Sequence, residues 1–69
     1  MPKVKATEEQ EKALRKHYQE VLEAFRKNPT PENFKKTARI RGVLSAVTRS
    51  RKYGTLVDSS LIERALKDC

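Results

Sequence analysis

Sixty-nine residues with a formal net charge of +7 and only 36% hydrophobic side chains leave room for one small core and no second domain. The single cysteine, Cys69, excludes a disulfide within the chain; the single histidine, His17, with no cluster at ligand spacing, argues against a metal centre. No nucleophile sits beside a base, no apolar run approaches membrane-spanning length and no signal peptide precedes the domain. The expectation is a protein without enzymatic activity, cofactor or membrane anchor, in the cytoplasm of its own or a host cell.

Residues 1–6 read as a short, basic, disordered lead-in, and 7–69 as a single helical domain. Thr7 opens the first helix with a capping box: its hydroxyl reaches the Gln10 amide and Gln10 reaches back. Leu14, Tyr18, Val21, Leu22 and Phe25 then recur on one helical face, one apolar stripe. Glu8–Lys12, Glu11–Arg15 and Glu23–Lys27 are supporting pairs four residues apart. His17 flanks the stripe and reads as a packing or surface residue. Asn28-Pro29 stops the helix near residue 28.

Thr30 caps the second helix and Pro31 takes its first position, where a missing N–H costs nothing. So short a turn predicts that helices 7–28 and 31–52 fold back antiparallel. Gly54 fits the left-handed cap that ends the second helix. Asp58 caps a third, short helix over about 59–67, with Val57 and Ile62 as a hydrophobic staple. Leu61, Ile62, Ala65 and Leu66 form its apolar face. The fold class is therefore all-α, a helical hairpin with a short closing helix. The apolar set, which also includes Phe34, Val43 and Leu56, is small for a chain of this length. A homodimeric four-helix bundle is thus expected, with Leu14, Tyr18, Val21, Leu22, Phe25, Ile40, Leu44 and Val47 as its shared or internal core.

Charge is distributed unevenly along these elements. Residues 1–29 carry a net +2 and residues 58–69 a net −1, whereas 30–57 carry +6, with Glu32 the only acid. On the second helix, Ile40, Val43, Leu44 and Val47 form an ordinary core face. The opposite side carries Lys35, Arg39, Gly42, Ala46 and Arg49, flanked by Ala38, Arg41, Ser45 and Lys52. Its long side chains are all cationic and the rest are small. A merely solvated face is normally mixed in sign, as on the first helix, and like charges such as Lys35 and Arg39 repel at this spacing. An external polyanion relieves that repulsion, and arginine adds bidentate phosphate geometry. Lys35, Arg39, Arg41, Arg49, Arg51 and Lys52 are the candidate nucleic-acid contacts. With no Asn or Gln there to read adenine edges, the contacts point to the backbone rather than to base sequence.

Gly42, costly inside a helix, permits close approach either of a ligand backbone or of another helix. Ala38 and Gly42 imitate the core of a helix-turn-helix, but Arg41, Thr48 and Arg51 would then fall where apolar residues belong. Tyr53 is placed for boundary packing, with base stacking as the alternative. Ser59 and Ser60 lack a partner base, and Cys69 reads as an inert thiol.

The stretch NPTPENFKKTARIRGVLSAVTRSRKYGTLVDSSLIERALKD resembles, in outline, the nodavirus family of RNA-silencing suppressors. Both run from a long helix through a proline-containing turn to a long basic helix and a short apolar one, here LVDSSLIERAL. That family's closing helix tends to begin with Lys-Pro, where this chain has Asp58-Ser59. The resemblance implies a homodimeric four-helix bundle that lays its helices along double-stranded RNA without reading sequence. The six cations named above would then contact phosphates and 2′-hydroxyls. The alternative expectation is a small interaction module, a viral or phage accessory protein or inhibitor, docking on an acidic protein partner.

Overall fold

The computed structural model describes residues 2–67. In chain order the elements are β1 (Lys3–Val4), α1 (Glu8–Lys27), α2 (Pro31–Tyr53), β2 (Val57–Asp58) and α3 (Ser59–Lys67). The chain is thus mostly helical. The expectation for Cys69 lies outside the described residues.

The helix ends form as their residues require. Thr7 Oγ1 accepts from the Gln10 amide at 3.1 Å, and Gln10 Oε1 accepts from the Thr7 amide at 2.9 Å, closing the capping box. Thr30 Oγ1 accepts from the Asn33 amide at 3.2 Å. Between the helices the Asn28 carbonyl accepts from the Thr30 amide and from Asn33 Nδ2, both at 2.8 Å, so the turn is pinned from both sides. Gly54 ends α2 at φ 75°, a conformation that a side chain would strain. Asp58 Oδ1 accepts from the Ser60 amide and hydroxyl at 2.9 and 2.8 Å, capping α3.

α1 and α2 pack antiparallel, and α3 lies against both. Leu14 and Val21, Ile40 and Val47, and Ile62 and Ala65 contribute one pair per helix to a closed core. Tyr18, Val43, Leu44, Val57 and Leu66 pack partly buried around it. Leu14, Val21, Ile40 and Val47 are therefore sealed within one chain, because α3 supplies the cover that a second copy was expected to give. Leu22 and Phe25 are half-buried at the edge of the hairpin.

The structure differs from three further expectations. The lead-in has a place in the fold: Lys3 pairs with Asp58 and Val4 with Val57 in a short antiparallel ladder. Ser59 adds bonds from its amide and hydroxyl to the Pro2 carbonyl at 3.1 and 3.2 Å. Phe34, Leu56 and Leu61, counted with the core, are 60%, 57% and 49% exposed. A three-helix unit has too little interior to cover them. Tyr53 is also exposed rather than packed at a boundary, with Lys52 Nζ 5.4 Å from its ring centroid.

Candidate nucleic-acid interface

α2 is a 23-residue helix that buries one stripe and exposes the rest. At 100° per residue, Lys35, Ala38, Gly42, Ser45 and Arg49 lie roughly opposite Ile40 and Val47, with Arg41 and Lys52 on one flank and Arg39 on the other. All eight of these outward positions are exposed, and Ala46 beside them is half-buried. Glu32, in the first turn, is the helix's only acid. Five of the six candidate cations, Lys35, Arg39, Arg41, Arg49 and Lys52, thus share one outward surface, spread over a helix about 35 Å long.

Arg51 belongs elsewhere. Eleven residues after Ile40, it falls about 20° from the core direction, and in the antiparallel hairpin that brings it over the first turns of α1. Its Nη1 donates to Glu11 Oε1 at 2.7 Å, while Arg15 approaches the same oxygen at 3.7 Å. Glu11 is only 7% exposed. Arg51 is therefore an interhelical tie that satisfies a buried carboxylate, not part of the outward surface. Counting charges along the chain conceals this; the position of Arg51 on the helical wheel reveals it.

Ser50 escaped the sequence reading altogether. It is buried beside the end of α2, accepts from the Ala6 amide at 3.0 Å and donates to the Thr55 carbonyl. One hydroxyl thereby ties the N-terminal segment to the loop after α2. A serine inside a basic stretch carries no local signal of such a role. His17 is buried on α1, in keeping with packing.

Two apolar grooves border α2. One, of about 490 Å³, runs between α2 and the β2–α3 segment, with Ala38, Gly42 and Ala46 along its floor and Leu56, Val57 and Leu61 among its walls. The other, of about 370 Å³, lies on the hairpin's other side and is lined by Tyr18, Leu22, Phe25, Phe34 and Arg41 among others. Phe25 and Phe34 meet there with centroids 6.0 Å apart, tilted by 55°. A Cβ built at Gly42 meets nothing within 4 Å, so packing within one chain does not require glycine there.

Among the described residues no group of three or more His, Cys, Asp or Glu is arranged to hold a metal, and no helix is long and apolar enough to cross a membrane. The chain matches no protein-family profile, no curated protein and no solved structure.

Proposed function

We propose that the chain is a non-enzymatic nucleic-acid-binding protein that holds the phosphate backbone of a duplex against the outer face of α2, without reading base sequence. The observation that carries this reading is the face itself: Lys35, Arg39, Arg41, Arg49 and Lys52 are exposed together, with no acid beyond the first turn of the helix. The helix is about 35 Å long, comparable to one duplex turn. The outline shared with nodavirus suppressors favours RNA over DNA. Shielding of duplex RNA from a silencing machinery is the use that outline implies.

This reading includes a dimer. The chain exposes 5173 Å² for a mass of 8.0 kDa, whereas a folded monomer of that mass exposes about 4,500 Å². Covering an apolar face with a second copy would reduce that excess. With Leu14, Val21, Ile40 and Val47 already buried, the face left for a four-helix arrangement is that of Tyr18, Leu22, Phe25 and Phe34.

The test is binding to duplex RNA, duplex DNA and single strands at several salt concentrations, with sedimentation of the free chain. Log K falls by roughly 0.7–0.9 per phosphate neutralised. Arg39→Ala with Arg49→Ala weakens binding across duplex sequences and makes that slope shallower. Equal losses from Lys12→Ala with Arg15→Ala on α1 would mean that net charge alone drives association.

A further inference from the structure

The groove between α2 and α3 has a chemistry that the phosphate-binding reading does not use. Its floor of Ala38, Gly42 and Ala46 and its walls of Val57, Leu56 and Leu61 are apolar, and both leucines stand about half-exposed. Its rim is cationic: Lys3 borders one end, Arg39 the α2 side, and Arg64 the adjoining hollow lined by Val43, Leu61 and Ala65. The one acid on the rim, Asp58, is committed to Ser60 at the start of α3, and those bonds hold its carboxyl below the ordinary range. Apolar walls within a positive rim fit a ligand that is apolar along one stripe and negative on either side of it. From Ala38 to Ala46 the floor measures about 12 Å, roughly two helical turns.

We infer that this groove is a docking site for an acidic amphipathic helix of another protein, inserting apolar side chains at i, i+3 or i+4 and i+7 between Leu56 and Leu61 and placing its carboxylates against Lys3, Arg39 and Arg64. The rim's charge selects against a second copy of this chain, which would bring the same cations to the same edges. The small floor lets the incoming helix lie close to α2. The groove shares Arg39 and its small floor with the outward face of α2, but its walls, Leu56, Val57 and Leu61, are not among the phosphate contacts, so a wall substitution tests the inference apart from nucleic-acid binding.

The probe is a synthetic helical peptide of about fourteen residues with a leucine stripe at the spacing of groove-bound helices, flanked by glutamates. It is titrated into the full isotope-labelled chain while backbone amide resonances are followed. A second peptide carries lysine in place of every glutamate. The expected result is movement of the Gly42, Ala46, Leu56 and Leu61 amides, with the glutamate peptide binding at least about tenfold tighter than the lysine peptide. Leu61→Asp, at an already exposed position, abolishes peptide binding and leaves duplex RNA binding intact; Arg49→Ala does the reverse. Comparable binding of both peptides overturns the inference. So do shifts centred on Leu22 and Phe34 instead, and so does movement of the groove resonances on concentrating the chain alone, which would place a second copy there.

Discussion

Arg49 and Arg51 carry the same charge two residues apart and act differently. Arg49 points outward, while Arg51 donates to Glu11, a carboxylate almost wholly removed from water. Among the described residues, removing Arg51 leaves that carboxylate the 3.7 Å approach of Arg15. Arg51→Ala should therefore destabilise the fold by about 1–3 kcal/mol, read as a fall in Tm of several degrees for a domain of this size. Arg49→Ala should change stability by less than about 0.5 kcal/mol while weakening duplex binding. Equal Tm values for the two variants would remove Arg51 from its place as a tie. Gly42 gives the opposite sign. A methyl group there meets no neighbour, and alanine is favoured over glycine in a helix interior by about 1 kcal/mol. Gly42→Ala should therefore raise the denaturation midpoint, and a fall would show that the glycine serves the isolated chain after all.

At the scale of elements, α3 depends on a charged cap. The Ser60 hydroxyl and amide hold the Asp58 carboxyl below its ordinary 3.8, against a smaller upward push from desolvation, with Lys3 adding a little in the lowering direction. A carboxyl lowered on folding stabilises the folded form above its unfolded pKa, and that contribution is lost as pH falls through the lower, folded value. α3 should therefore loosen below about pH 4. Amide exchange along the chain measures this, and Asp58→Asn should abolish the acid-dependent step.

The same elements show what the sequence could and could not convey. Thr7, Thr30, Gly54 and Asp58 announce the helix ends because capping is chemistry within a few residues, and all four cap as expected. The stripe of α1 is visible because its period is local. Which of its residues end up sealed is not, since that depends on how the three helices close together: Leu14 and Val21 are buried and Leu22 only half-buried. β1 is two residues long, and nothing in Lys3-Val4 favours a strand without Val57-Asp58 opposite. The outward cations were legible apart from Arg51. The apolar groove was not, because its walls come from segments distant in the sequence.

For the whole molecule, extents of 36 × 21 × 15 Å describe a flat slab rather than a sphere, which is why so much surface remains outside. A slab offers distinct faces: cationic along α2, apolar between α2 and α3, aromatic across the hairpin. Salt should separate them. It screens phosphate binding, while it relieves repulsion between like-charged copies meeting through apolar surface. Duplex affinity should accordingly fall with added salt as the sedimentation coefficient of the free chain holds or rises. Parallel decline of both would mean that self-association is itself electrostatic.

The pairing of Lys3-Val4 with Val57-Asp58 also fixes an order in time. Residues 3 and 4 are synthesised before their partners, which follow roughly fifty residues later. Bringing such distant segments together carries a closure entropy on the order of 3–4 kcal/mol, whereas α1 and α2 meet across a three-residue turn. The hairpin should consequently form first and the N-terminal strand fasten last, after the barrier has been crossed. An interaction that forms so late slows unfolding without hastening folding. Deleting residues 1–5 should thus raise the unfolding rate several-fold and leave the folding rate within about twofold, as stopped-flow measurements in both directions would record. A folding rate that fell as steeply as unfolding rose would put the strand in the nucleus instead. Late fastening also means that each chain, while still being made, presents the apolar side chains of β2 and α3 without the strand that later lies beside them.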